Sequence, residues 1–225
     1  MTQSDPTAPA ASSLNPQDYI ITRKRKLYKF ALFHNSPICF ELDQWTNDFQ
    51  PDVLEVGAGT GLFSVGLAEM NRDLKYLAID VKADRLQTGA RQAVESELLN
   101  IRFLRSRADQ LSEAIGSHSL ESIWVTFPDP HPKRHSAKNR LLHPRFLNVY
   151  KELLKPNGSL YFKTDAIDLF QWSLEQLVKD GWTFEELSFD LHESDFLESY
   201  KIKTNYETRY INEGISIKFV KATLK

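Results

Sequence analysis

"DVLEVGAGTG", residues 52–61, carries the reading of the fold. "DVLEV" (52–56) has the composition of a strand, and it ends on three glycines, Gly57, Gly59 and Gly61. Residues 61–71 then take up helical spacing through Leu62, Val65, Leu67 and Ala68. Glycines between a strand and a helix let the chain turn sharply and let a ligand approach the backbone closely. The dinucleotide pattern G-x-G-x-x-G would need glycine at 62, where this chain has Leu62. That phase disfavours NAD and FAD. No lysine follows the glycines to grip a pyrophosphate.

Outward from this turn, short apolar runs alternate with amphipathic stretches. "LKYLAID" (74–80) predicts a second strand and 83–98 a second helix; "IRFLRS" (101–106) predicts a third strand, with a short helix around 109–115. "LESIWVTF" (120–127) predicts a fourth strand, and His143–Pro144 opens a helix to about Leu154. "KPNG" (155–158) reads as a turn, "GSLYFKTD" (158–165) as a fifth strand and 166–180 as a helix. "WTFEELSF" (182–189) and "ISIKFVKA" (215–222) are the last strands, with an irregular insert between them. The expectation is an α/β, Rossmann-like, doubly wound sheet of seven strands. It would be mostly parallel with the last strand antiparallel, and carry helices on both faces. The expected organisation is a disordered tail (1–17), a basic N-terminal extension (18–50) and one domain (51–225).

Three acids fall at successive strand ends. Glu55 precedes the glycines, Asp80 closes the second strand, and Asp109 follows the third. In open α/β sheets ligands bind at this carboxyl rim, and an acid after the second strand suits ribose hydroxyls. A carboxylate after the third strand suits an adenine amine. Acids without a phosphate-binding lysine point to a nucleoside ligand bearing positive charge. A strand-end carboxylate also serves as a helix cap, the structural alternative for each.

"FPDPHPKRHSAKNR" (127–140) leaves the tip of the fourth strand. Pro128, Pro130 and Pro132 fix φ at alternating positions and push Asp129 toward extended geometry. Lys133, Arg134, Lys138 and Arg140 follow. No acid occurs between Asp129 and Glu152, nor between Asp18 and Glu41, where Arg23, Lys24, Arg25, Lys26 and Lys29 cluster. Two all-basic segments in a chain of net charge −2 predict a polarised surface and a polyanionic partner.

Residues 52–127 resemble the S-adenosylmethionine-dependent methyltransferase fold, with "EVGAGTG" and "AID" as its first two motifs. "FPDPHPKRH", "KTD" (163–165) and "TNYETR" (204–209) resemble, in order and spacing, the motifs of the tRNA (guanine-N7)-methyltransferases. His131 stands where that family has tryptophan, and the basic run is one residue shorter. The resemblance implies methyl transfer from S-adenosylmethionine to N7 of a guanine in the tRNA variable loop. It implies Asp129 as the catalytic residue, and cofactor contacts from Glu55, Gly57, Gly59, Asp80, Asp109 and Asp129. Lys133, Asp165, Thr204, Asn205, Tyr206 and Glu207 would contact the substrate, and Arg134, Lys138 and Arg140 the RNA backbone. Trp45, Tyr206 and Tyr210 are candidate stacking residues, with core packing the stronger expectation for Trp45 and Tyr210.

Two alternatives stay open at this level. A methyltransferase acting on another RNA or a small molecule shares the cofactor half, but has no need of two basic segments. A non-catalytic tRNA-binding factor has no need of Asp129. His34, His118 and His192 lack metal-ligand spacing, so no metal is expected. The single cysteine, Cys39, excludes an intramolecular disulfide and reads as a small packed hydrophobe. The longest apolar run is too short to span a membrane. Residues 1–17 contain no Lys or Arg and no apolar stretch, unlike a targeting peptide. A cytoplasmic protein is expected, as monomer or homodimer.

Overall fold

Strand β2 (Val53–Val56) is buried along its whole length, as a central parallel strand must be when helices cover both faces of the sheet. The computed structural model describes residues 24–46 and 48–224. The expected tail 1–17 and Arg23 lie outside the described residues. The chain runs α1 (Lys24–His34), β1 (Cys39–Glu41), β2, α2 (Leu62–Met70), β3 (Tyr76–Asp80), α3 (Ala83–Glu95) and β4 (Ile101–Arg105). It continues through α4 (Leu111–Ala114), β5 (Leu120–Thr126), α5 (Pro144–Leu153), β6 (Leu154–Thr164), α6 (Ile167–Lys179) and β7 (Trp182–Ser188). Helix α7 (Asn205–Asn212) and β8 (Lys218–Leu224) complete it.

The strands form one sheet in the order β1-β4-β3-β2-β5-β6-β8-β7. β8 pairs antiparallel with both β6 and β7, while the remaining pairings are parallel. The antiparallel last strand agrees with the expectation, although the insert that joins it to β7 is not wholly irregular: it contains α7. The strand count is eight, not seven. Cys39–Glu41, expected in the basic extension, pairs with Phe103–Arg105 at the sheet edge. Three residues are too few to show a period. What holds them is α1, whose Leu27, Ala31 and Phe33 are buried, and Glu41, which meets both His34 and Arg105 at 3.2 Å. Cys39 is buried, and burial pushes its thiol up to about 12. "KPNG" forms an irregularity inside β6: Leu120 pairs with Leu154 and Ser122 with Ser159, while Asn157 takes φ 64° between them.

Strand alternation divides the core between two faces. Leu54, Leu77, Ile123 and Leu160 lie under α4, α5 and α6, with Phe146, Tyr150 and Phe170 among the covering side chains. Val53, Ala78, Phe103 and Trp124 lie on the opposite face with Phe33, Phe63 and Leu86 of α1, α2 and α3. Burying each large apolar side chain of this kind contributes roughly 1.5–3 kcal/mol. From the central β2 the chain builds β3 and β4 to one side, then β5 and β6 to the other. That reversal opens a crevice beyond the carboxyl ends of β2 and β5, where ligands of such sheets bind.

Candidate active site

A cleft of about 190 Å³ opens at this reversal. Val56 and Gly57 follow β2 into it, Ile79, Asp80, Val81 and Lys82 come from the end of β3, and Ser106 and Ala108 from the segment after β4. Phe127, Pro128, Asp129 and His131 enter from the end of β5, so the glycine turn and the proline-braced aspartate line one cavity.

The glycine turn is positioned by its backbone. Gly61 has φ +71°, and a Cβ there would sit 2.5 Å from the ring of the fully buried Phe103. Gly59 has φ +57°, and a Cβ on it would meet no atom within 4 Å. One glycine therefore permits close packing beneath the turn, and the other leaves open space above it. Asp80 ties the turn to β3: its Oδ2 accepts from Gly59 N at 2.9 Å and its Oδ1 from Lys82 N at 2.8 Å. Each oxygen keeps a lone pair for a hydroxyl donor. The open space over Gly59 and the acceptors of Asp80 and Asp129 fit a ribose-bearing, cationic ligand such as S-adenosylmethionine.

The other expected cofactor acids are placed differently. Glu55 lies beneath the turn, 1% exposed, and does not line the cleft. Its Oε2 accepts from Ser64 N at 3.2 Å and Ser64 Oγ at 2.6 Å, and its Oε1 from Thr126 Oγ1 at 2.6 Å. It thereby joins β2, α2 and β5. Burial pushes its carboxyl up to about 7, against the opposing pull of the Ser64 and Thr126 bonds and Lys163. Asp109 is paired bidentately with Arg107 at 2.7 and 2.8 Å and also lies off the cleft lining. The Arg107 bonds hold its carboxyl below the usual range. For both residues the structure gives protein partners where the sequence suggested an open face.

Asp129 is exposed and makes no hydrogen bond or ion pair among the described residues. Lys133, Arg134 and Lys138 are exposed beside it, likewise without acidic partners among the described residues. Arg140, expected at the RNA backbone, turns inward instead. Its Nε donates to Pro130 O at 3.1 Å, its Nη2 to His131 O at 3.2 Å, and its guanidinium lies 4.5 Å from the centre of Trp172. An arginine's charge says that it needs acceptors, and here two loop carbonyls supply them.

Asp165 and Thr204 to Glu207 do not line the cleft; they lie near it through Phe127 and Tyr210. Phe127 lies 6.2 Å from the ring of Tyr210 on α7. Tyr210's phenol is held up by burial and by the neighbouring charge of Asp165, which puts Asp165 in the same neighbourhood. Thr204 caps α7: its Oγ1 accepts from Glu207 N at 3.1 Å, while Thr204 N donates to Glu207 Oε2 at 3.3 Å. Asn205 is the first residue of that helix, and Tyr206 is 47% exposed. Glu207, expected to meet substrate, is fully enclosed. Its carboxylate bonds Lys163 Nζ at 2.9 and 3.0 Å and His192 Nε2 at 2.9 Å. Lys163 also donates to Tyr200 O at 2.8 Å and Ile202 O at 3.2 Å, fastening the insert to the sheet. Burial pulls the Lys163 ammonium down, and Glu207 opposes that shift. Trp45 packs between Phe40 and Phe49 and donates to Ala114 O at 2.8 Å, as expected of a core residue.

Sequence reasoning assigned no role to Lys163, His131, Lys82 or Arg85. The last three line the cleft. Lys163 left a signal, since a lysine directly after the apolar run Leu160, Tyr161 and Phe162 must bring its own acceptors. Among the described residues no group of His, Cys, Asp and Glu could hold a metal ion, and no helix is long and apolar enough to cross a membrane.

The chain is similar to known proteins over most of its length. The family described as "Putative methyltransferase" matches residues 49–220. A tRNA (guanine-N(7)-)-methyltransferase of Cytophaga hutchinsonii is 37% identical over 182 residues, covering 80% of this chain and 82% of that protein. The enzyme of the same name from Clostridium botulinum (strain Okra) is 37% identical over 190 residues, covering 80% and 87%. Among solved structures, the 16S rRNA methyltransferase KamB superposes with a TM-score of 0.61 at 16% identity, over 80% of this chain and 94% of that one. A SAM-dependent methyltransferase from Aquifex aeolicus gives 0.52 at 16% identity, over 79% and 85%. At such identity these two show the fold alone. A methyltransferase sheet, a glycine turn and a proline-braced aspartate in one cleft, and relatives matched over most of their length agree: the chain belongs to the tRNA (guanine-N7-)-methyltransferase family, whose methyl donor is S-adenosylmethionine.

Proposed function

We propose that this protein methylates N7 of a guanine in the variable loop of tRNA, giving 7-methylguanosine. One observation carries the reading: Asp129, without a hydrogen-bond or ion-pair partner among the described residues, shares the cleft with Gly57 and Asp80. The curated relatives named for this activity support it. When bound, S-adenosylmethionine supplies an electrophilic methyl on a sulfonium. Asp80 and the backbone at Gly57 and Gly59 would hold its ribose and methionine portions, with Glu55 bracing the turn from below and Asp109 at the adenine side.

Guanine N7 carries a lone pair and no proton, so the attack requires no general base. What the chain must do is orient the purine and accommodate the positive charge it gains. Asp129 faces that developing charge from a loop whose prolines limit its freedom, a preorganised arrangement. Asp165 and the Thr204–Glu207 segment would read the donor edge of guanine, with Glu207 acting through Thr204 and Lys163. Lys133 would reach O6 or a phosphate, while Arg134 and Lys138 would meet backbone phosphates. Such contacts position RNA and make binding salt-dependent. An enzyme acting on tRNA belongs in the cytoplasm.

The test is methyl transfer from labelled S-adenosylmethionine to unmodified tRNA transcripts, followed by nucleoside analysis. Label in 7-methylguanosine, abolished when the variable-loop guanine is replaced by adenine, is the expected result. Label in another nucleoside, or no transfer, overturns the reading. Asp129→Ala should lower kcat by roughly 10²-fold, the scale of one preorganised electrostatic contact. Its affinity for S-adenosylmethionine should stay within a few-fold of the parent.

A further inference from the structure

The stretch 127–140 holds two L-residues in the left-handed region, Phe127 at φ 46° and His131 at φ 43°, on either side of Pro128, Asp129 and Pro130. Side chains disfavour that backbone, so it persists only where neighbours over-determine it. At the first end, Phe127 N donates to Lys163 O at 2.9 Å, a ladder bond to β6. At the second, the constraint is a single side chain. Arg140 donates to Pro130 O at 3.1 Å and His131 O at 3.2 Å, and so closes the loop on its own far end. Its guanidinium rests 4.5 Å from the ring of Trp172. Trp172 belongs to α6, the helix that begins directly after Asp165.

We infer that Arg140 is the positioning residue of this active site: it holds the strained aspartate loop in register with α6, and through α6 with Asp165, and it is not a phosphate contact. The fork matters as much as the charge. Two parallel N–H bonds to adjacent carbonyls and a flat face on an indole need a planar guanidinium, and a lysine supplies a point charge that satisfies one of these at a time. The basic run thus splits by role, with exposed Lys138 free to meet RNA and half-buried Arg140 working inside the protein.

This inference rests on the proposed reaction for its kinetic consequence but not for its physical one, and two readouts on full-length protein separate them. Hydrogen–deuterium exchange of the peptide spanning 127–141, without ligand, should be at least several-fold faster in Arg140→Lys and in Trp172→Leu than in the parent, with an unchanged melting midpoint. In tRNA methylation, Arg140→Lys should lose at least ~10-fold in kcat, and the charge-removing Arg140→Gln should leave the slope of log KM against log salt at the parent value. Lys138→Ala should instead raise KM and flatten that slope by about one. Parent-like exchange in Arg140→Lys, or a flattened salt slope in Arg140→Gln, overturns the inference. A parent enzyme that fails to methylate tRNA refutes the proposed function and leaves the exchange arm to decide on Arg140.

Discussion

Replacing Glu55 with glutamine removes a charge from beneath the glycine turn while keeping the shape that fills the site. The amide oxygen can accept from Ser64 N and Oγ as Oε2 does now, and the amide nitrogen can donate to a rotated Thr126 hydroxyl. The wild-type carboxyl binds its proton with a midpoint of about 7 in the fold, against 4.5 for an ordinary glutamate, because burial penalises the anion. Between those values the folded chain holds a proton that the unfolded chain has lost. Stability therefore falls as pH rises through that window: the contribution is fully present below 4.5 and gone above about 7. The span corresponds to about 3 kcal/mol. Urea unfolding of both proteins at pH 4, 5, 6, 7 and 8 isolates it, since other groups cancel in the difference. The stability of Glu55→Gln relative to wild type should climb by about 3 kcal/mol from pH 4.5 to 7 and then level off. A difference that is flat, or that falls with pH, would mean the carboxylate is comfortably ionised and the account of the buried hub is wrong.

Three further outcomes are expected. Asp80→Ala loses the bonds from Gly59 N and Lys82 N together with two acceptors in the cleft. With charge-assisted bonds worth about 1.5–3 kcal/mol each, its dissociation constant for S-adenosylmethionine should rise at least ~10-fold by calorimetry, and an unchanged constant would remove Asp80 from the site. Glu207→Gln leaves the Lys163 ammonium buried without a counter-charge and should cost roughly 3 kcal/mol of unfolding free energy, much of it recovered by adding Lys163→Met; a loss that the second change deepens would contradict the buried pair. Gly61→Ala forces a Cβ to within 2.5 Å of the Phe103 ring at φ +71° and should cost about 3 kcal/mol, read as a lower urea midpoint, with no shift as the refuting result.

The strand–turn–helix at 52–70 and the alternation that follows were legible in the sequence because long apolar strands and glycine phase are local signals. The antiparallel last strand was expected from an insert that read as irregular, and the strand is antiparallel even though α7 lies in that insert. β1 was not, since its three residues are held by α1 and Arg105, partners remote in sequence. At the site, position along a strand placed the acids near strand ends but did not reveal which of them face the cleft or which partners they meet. Glu55 is claimed by Ser64 and Thr126, Asp109 by Arg107, and Glu207 by Lys163 and His192. Asp129 and Asp80 were read more directly, because proline geometry and the end of β3 leave each facing the gap. Arg140 shows the same limit from the basic side. Counting charges gives the field of the surface, whereas the direction of one guanidinium depends on Trp172 and on two carbonyls.

The placement of β8 has a consequence for how the protein is made. β7 is joined to the rest of the sheet only through Lys218–Leu224, a segment that leaves the ribosome after it. Until those residues emerge, β6 presents a bare edge and β7 has nothing to pair with, so the sheet can grow during synthesis but cannot close. A chain cut short before residue 218 therefore keeps two unsealed strand edges, the kind of surface on which other chains pair.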